Sequence, residues 1–323
     1  MPTAREIKKR IRSVKNIGQI TRALEAVSAS RVRKAQARVL ASRAFAEKAW
    51  EILLNVQNSS TRGVPLHPLL TPREEVKTAL VILITSDRGL AGAYNTNVLR
   101  AARRFTERVP REYRYIAIGR KGRDSLVRLR ENLIAEFSNP AEASIAHLSP
   151  VVRIATEEFL SGTVDEVLVA YTDFINTLAQ HPRVLRLLPL MPYETDDKVV
   201  SEYIKDAPHV TAGSLDYEYE PGAAAILDEI VPRFTQLQLY QAVLESQASE
   251  HSARMIAMRN ASDNAAGLAE DLTLDYNKAR QAGITSEILD IVGGAEALQA
   301  SIDKIADEIL KAQQPLSVAE PHA

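Results

Sequence analysis

Residues 7–27 read IKKRIRSVKNIGQITRALEAV, and this stretch decides the fold. Its apolar residues recur every three or four positions, which places them on one face of an α-helix. They are Ile7, Ile11, Val14, Ile17, Ile20, Leu24 and Val27. Because residues 3–58 contain no proline and only Gly18 as a glycine, we expect a helix of about 50 residues, or about 75 Å. A helix of that length is not the core element of a single compact domain.

A second long helix is predicted at the other end of the chain, from about Ala223 to about Gln313. Between Ile230 and Ala279 the sequence keeps a 4-3-4-3 spacing, which is typical of the heptad seam of a coiled coil. The seam residues are Ile230, Phe234, Leu237, Gln241, Leu244, Ala248, His251, Met255, Met258, Ser262, Ala265, Ala269, Leu272, Tyr276 and Ala279. A second frame continues from Ile288 to Ile309. Pro232 predicts a kink or a later start of this helix.

Short β-rich runs separate the two helices. They are Thr78–Ser86, Tyr113–Gly119, Leu133–Phe137, Val164–Tyr171 and Val184–Leu190. Helical stretches are predicted after Gly92, Lys121 and Pro150, and strands that alternate with helices indicate a mostly parallel sheet covered on both faces.

The fold class is therefore α/β: a long antiparallel coiled coil of the N- and C-terminal helices, with an inserted Rossmann-like α/β domain. We predict an N-terminal coiled-coil helix over 1–58, the α/β domain over 75–195, a linker over 196–222, the C-terminal helix over 223–313 and a tail over 314–323. Residues 1–45 hold twelve basic and two acidic side chains, whereas residues 217–323 hold 17 acidic and seven basic ones. Opposite charge favours the pairing of these ends, while burial of the seams stabilises it.

The sequence predicts no catalytic residues, no cofactor and no metal site. It has no Walker phosphate loop and no cysteine, and its six histidines are scattered. The turn Gly89–Gly92 lies where a dinucleotide fold holds phosphates, but it lacks the third glycine and the ribose acid. Asp87 and Arg88 could form a catalytic pair, although a salt bridge or a turn-fixing carboxylate is favoured. The basic N-terminal helix offers only Phe45 and Trp50 for stacking, so no nucleic acid is expected.

Three ordered blocks carry a family resemblance. Residues 5–24 read REIKKRIRSVKNIGQITRAL, residues 85–92 read TSDRGLAG, and SEHSARMIAM at 249–258 is followed by YNKARQAGIT at 276–285. Together they resemble the signatures of the gamma subunits of F-type ATP synthases, and they extend over nearly the whole chain. Leu24 stands where the family usually has Met, and Ala91 replaces a common Cys.

The resemblance implies a non-catalytic central-stalk rotor subunit of a proton-translocating ATP synthase. Such a subunit couples proton flow through the membrane sector to conformational cycling of the beta subunits, and it regulates ATPase activity. The implied partners are the ring of three alpha and three beta subunits, the epsilon subunit and the ring of c subunits. The implied location is peripheral, on the cytoplasmic face of a bacterial plasma membrane.

The resemblance also assigns contacts with the acidic loop of the beta subunit. These residues are Arg22, Ala23, Leu24, Arg254, Arg280, Gln281, Thr285 and Glu287. Family members often end near Ala297, so residues 299–323 are expected to project from the top of the ring or to fold back. Two alternatives remain from the residues alone: a non-catalytic coiled-coil scaffold or adaptor with a partner-binding α/β domain, and a small α/β enzyme with helical oligomerisation arms.

Overall fold

The computed structural model describes residues 3–59, 67–140, 142–190 and 223–312. The chain divides into two units, of which unit 1 comprises Met1–Ile20 with Ala261–Ala323 and unit 2 comprises Thr21–Asn260. The predicted linker 196–222 and tail 314–323 lie outside the described residues. No helix in the described ranges is both long enough and apolar enough to cross a bilayer.

Helices α1 and α5 are the two long helices, and α2, α3 and α4 belong to the α/β domain. In the described ranges the helices are α1 (Ala4–Ser59), α2 (Tyr94–Arg108), α3 (Arg120–Leu129), α4 (Ile145–Leu160) and α5 (Ala223–Ala312), with a 3-10 turn at Pro68–Leu70. The strands are β1 (Thr78–Ile84), β2 (Glu112–Ile118), β3 (Asn132–Phe137), β4 (Glu166–Phe174) and β5 (Gln180–Leu188).

The five strands form one sheet in the order β3-β2-β1-β4-β5. The β1–β2, β1–β4 and β2–β3 pairs are parallel, and only β5 runs antiparallel, beside β4. The mostly parallel sheet predicted from the sequence is therefore confirmed. Every residue of β4 is buried, as are all residues of β1 after Thr78, because apolar clusters cover both faces of the sheet.

The prediction of a helix that starts after Pro150 is wrong. Helix α4 begins at Ile145 and contains Pro150, because Ser144 caps its N-terminus by accepting a hydrogen bond from the backbone N–H of His147. Helix α5 begins at the predicted Ala223 and continues through Pro232, so the later start considered for Pro232 does not occur.

Within unit 1, α1 packs against the later part of α5. The hydroxyl of Ser262 donates to the carbonyl of Gly18 at 3.5 Å, and a Cβ at Gly18 would lie 3.4 Å from the Cβ of Ala265. Unit 2 holds the later part of α1 together with the earlier part of α5.

The seam predicted on α5 is confirmed in each unit, since all of its residues from Ile230 to Ala279 are buried or half-buried. The stripe predicted on α1 is wrong at Ile17, Ile20 and Val27, which are 53%, 60% and 50% exposed. A strict 4-3 spacing instead connects residues that are all buried or half-buried: Ile7, Ile11, Val14 and Gly18 in unit 1, then Thr21, Glu25, Ser28, Val32, Ala35 and Val39 in unit 2. Small residues occupy part of this seam because they let two helix backbones approach closely.

Beyond Ala279, α5 no longer has a buried face. Every residue from Arg280 to Ile309 is exposed, although the helix continues unbroken to Ala312. Residues 299–312 therefore extend the helix, and the expectation that they fold back is wrong for the described part of the extension.

Candidate functional site

The contact residues predicted on α1 lie on a single turn of that helix, in unit 2. Arg22 and Ala23 are exposed and Leu24 is half-buried. Thr21 and Ser28 flank them and are buried, and the Ser28 hydroxyl donates to the carbonyl of Leu24 at 2.7 Å. The small polar residues Thr21 and Ser28 are therefore buried within unit 2, whereas residues 22–24 are at least partly accessible to solvent.

The four contact residues predicted furthest along α5 belong to unit 1. Arg280, Gln281, Thr285 and Glu287 are all exposed. Exposed isoleucines lie among them, with Ile284 at 45% and Ile288 at 54%. This part of the helix therefore combines charged, hydrogen-bonding and apolar groups on an accessible surface.

Arg254 is placed differently from the other predicted contacts. Its side chain is only 12% exposed, and its guanidinium lies 2.7 Å from the carboxylate of Glu250, one turn earlier on α5. The same guanidinium donates to the backbone carbonyl of Gly89 at 3.3 Å, in the loop after β1. Arg254 therefore ties α5 to the α/β domain within unit 2.

Burial around Arg254 shifts the pKa values of its neighbours. Desolvation raises the pKa of Glu250, and the positive charge of Arg254 offsets only part of that rise. Desolvation, followed by the charges of Arg254 and Arg31, lowers the pKa of His251 to about 4. His251 is consequently a neutral imidazole at physiological pH.

Asp87 has the structural role, that of a turn-fixing carboxylate, that the sequence favoured. A carboxylate oxygen of Asp87 accepts the backbone N–H of Arg120 at 2.9 Å, at the N-terminus of α3. The next three N–H groups of α3 are also bound within the chain, to the Ser86 carbonyl, the Thr85 hydroxyl and the Gly119 carbonyl. A helix N-terminus binds phosphate through free N–H groups, and this one presents none.

A pocket of about 230 Å³ opens beside these loops. It includes the arginines Arg31, Arg88 and Arg120 from three separate segments, together with Asn139 and Gln247. Sequence analysis did not single out Arg31, Asn139 or Gln247. The available signal was the run ESQASE at 245–250, which interrupts an otherwise apolar part of the α5 pattern.

Comparison with known proteins identifies the family. A family model described as ATP synthase matches residues 3–298. The ATP synthase gamma chain of Roseiflexus castenholzii is 47% identical over 305 residues, covering 92% of this chain and 99% of its relative. The gamma chains of Chloroflexus aurantiacus and Dehalococcoides mccartyi are 45% and 43% identical, each over 92% of this chain and 99% and 100% of their own length. The chain belongs to the ATP synthase gamma-chain family.

Solved structures agree with this membership at the level of the fold. A chain of the Euglena gracilis mitochondrial ATP synthase, in an assembly of OSCP, F1 and c-ring, matches with a TM-score of 0.61 and 18% identity over 99% of both chains. A chain from the central stalk and c-ring of the Tetrahymena thermophila enzyme matches with a TM-score of 0.54 and 24% identity, covering 75% of this chain and 99% of that one. Membership of the gamma-chain family disfavours both the adaptor and the small-enzyme alternatives.

Proposed function

We propose that this chain is the central-stalk rotor subunit of a proton-translocating F-type ATP synthase. It couples proton flow through the membrane sector to conformational cycling of the catalytic beta subunits, and it regulates ATPase activity through the same contacts. The chain supplies no catalytic residue of its own. Family membership over residues 3–298 supports this proposal.

One structural observation carries the proposal furthest. From Arg280 to Ile309, α5 is exposed on all sides, yet it presents Ile284, Ile288, Ile291, Leu298, Ile302, Ile305 and Ile309 to solvent. An apolar stripe of this length on a soluble helix calls for a protein partner. A surrounding ring of subunits is a partner that covers such a helix without fixing it to one neighbour.

Helices α1 and α5 present different side chains at their surfaces, and this asymmetry explains how a rotor without catalytic residues directs catalysis. A partner subunit that meets Arg22 of α1 meets a different surface from one that meets Glu287 of α5. A contact that favours one conformation of a binding site shifts the population of that conformation by the difference in interaction energy. Each proton that crosses the membrane releases about 2.3 kcal/mol per 100 mV, which supplies the torque.

We place the chain among the alpha and beta subunits of the head, the epsilon subunit and the c-subunit ring. It binds no nucleic acid in this role. The complex holds the chain peripherally at the cytoplasmic face of the bacterial plasma membrane.

The proposed contacts with the acidic loop of the beta subunit are Arg22, Ala23, Leu24, Arg254, Arg280, Gln281, Thr285 and Glu287. Six of these are exposed, and Leu24 and Arg254 are half-buried. Arg254 already binds Glu250 and Gly89 through one guanidinium nitrogen, so its part in the contact would use the remaining N–H groups.

Replacing Leu24 with Lys tests the proposal at one of these contacts. The chain should fold normally, because Leu24 is only half-buried, but a charge at the partner surface should lower proton-driven ATP synthesis several-fold in reconstituted vesicles. The control is Leu160→Lys, which makes the same change at a leucine that is 52% exposed at the end of α4. Synthesis by the Leu24→Lys complex at the rate of the control would count against the proposed contact.

A further inference from the structure

The carboxyl ends of β1 and β4 form the crevice in which doubly wound folds bind ligands. The chain runs outward from β1 to β2 and β3 and then returns to β4 on the other side of β1, so the β1–β4 boundary is a topological switch point. Helix α5 lies at this edge of the sheet. A Cβ at Gly92, in the loop after β1, would lie 3.6 Å from the Cβ of Ala257 on α5.

Two serines of α5 bind the peptide of Thr172 near the end of β4. Strands β1 and β4 pair with each other in register only as far as Leu83 and Ala170. The backbone N–H of Thr172 donates to the hydroxyl of Ser246 at 3.3 Å, and the Ser249 hydroxyl donates to the Thr172 carbonyl at 3.2 Å. Both serines have 0% exposure, so α5 supplies the hydrogen bonds to the backbone of β4 at a position where β1 no longer pairs with it.

Gln247 binds the other side of the crevice. Its side-chain amide donates to the carboxamide oxygen of Asn139 at 3.1 Å and to the carbonyl of Pro140 at 2.6 Å, both in the loop after β3. Asn139 in turn donates to the carbonyl of Thr85 at the end of β1 at 2.9 Å. The bond from Arg254 to Gly89 adds a third attachment, to the loop after β1.

We infer that the polar face of α5 occupies the ligand crevice and locks the helix to the sheet as a rigid joint. Ser246, Gln247, Ser249 and Arg254 make hydrogen bonds that a ligand would make in other proteins of this fold, and all are attached to the carboxyl ends of the strands or the loops that follow them. The consequence for torque rests on the proposed function: a rotor driven through its α/β domain turns α5 only if the two move as one body.

Spin-label distances in the full chain test the joint without reference to rotation. Because the chain has no native cysteine, labels can be placed at Arg128→Cys on α3 and Arg259→Cys on α5, both exposed and both in unit 2. The triple variant Ser246→Ala, Gln247→Ala and Ser249→Ala should widen the distance distribution at least twofold. Gln247→Ala alone, which leaves the Thr172 peptide bound, should widen it less. The control Glu229→Ala with Arg233→Ala removes an exposed salt bridge of α5 and should leave the width unchanged.

Proton pumping per ATP hydrolysed, in vesicles containing the assembled complex, tests the torque. The triple variant should hydrolyse ATP but pump at least twofold fewer protons per ATP than the wild type. Adding Gly92→Cys and Ala257→Cys should restore the ratio on oxidation and lose it on reduction, because their Cβ positions lie 3.6 Å apart. Gly92→Cys without Ala257→Cys is the control for the strain of a side chain at the positive φ of Gly92.

The two measurements separate the two claims. An unchanged distance distribution in the triple variant would overturn the joint, whatever the pumping shows. A broadened distribution with wild-type pumping would overturn its role in torque. A wild-type complex that does not pump would reject the proposed function, while the distances would still decide whether the joint exists.

Discussion

Arg254 illustrates how a single side chain acquires its role from neighbours that are distant in sequence. The family motif assigns Arg254 to a partner surface. Arg254 is not a seam residue of α5, so the heptad spacing gives no reason to expect its side chain to be buried. Residues 242–250 are nevertheless all buried, because α5 there meets the ends of the strands as well as α1. Heptad spacing describes one buried face of a helix, so it cannot reveal a second face that the α/β domain covers.

The neutral state of His251 has a measurable consequence for stability. Its pKa in the folded chain is about 4, below the ordinary histidine value of 6.5, so protonation favours the unfolded chain. The resulting stability is fully present above pH 6.5 and is lost as the pH falls towards 4. We expect this loss to be at most about 3 kcal/mol.

Urea unfolding of the wild type and of His251→Gln between pH 7 and pH 4 measures this effect. The Gln variant should lose less stability over that range, since glutamine does not titrate. An NMR titration of the wild type that finds a pKa of 6 or higher for His251 would contradict the account.

Helix α1 shows where a periodicity argument succeeds and where it fails. The length of the helix and its earliest seam positions follow from the sequence, because Ile7, Ile11 and Val14 are both apolar and heptad-spaced. Between Val14 and Val32 the most apolar face of α1 is not the face that packs within the chain. The hydrophobicity of a helix face does not tell whether that face is buried within the chain or is available to a partner. The contacts of Gly18 with α5 show which face of α1 is buried within the chain.

Matched glycine substitutions in unit 1 test this assignment of the seam. A Cβ at Gly267 meets open space, so Gly267→Ala should stabilise α5 by about 1 kcal/mol through helix propensity alone. A Cβ at Gly18 would contact Ala265, so Gly18→Ala should stabilise less, and Gly18→Leu should destabilise by about 1–3 kcal/mol through overpacking. Chemical denaturation followed by circular dichroism distinguishes these cases, and a stabilising Gly18→Leu would place Gly18 outside the seam.

For the whole chain, the order of elements and the sheet class could be predicted from sequence, since β-rich runs between helical stretches leave few topologies. The antiparallel β5, the start of α4 before Pro150 and the attachment of α5 to the strand ends could not. Each depends on contacts made after folding, such as the Ser144 cap or the two serines on Thr172. The contact residues assigned by resemblance remain predictions, and exposure of Arg22 and Glu287 is compatible with them.

The central claim is that this chain turns inside a ring of subunits and drives their catalytic cycle. The most direct measurement attaches a probe to Arg128→Cys in the α/β domain, holds the head of the assembled complex on a surface and follows the probe as ATP is added. The account predicts rotation in one direction, with three pauses per turn that shorten as ATP is raised. A probe that stays fixed relative to the head while the complex hydrolyses ATP would contradict it.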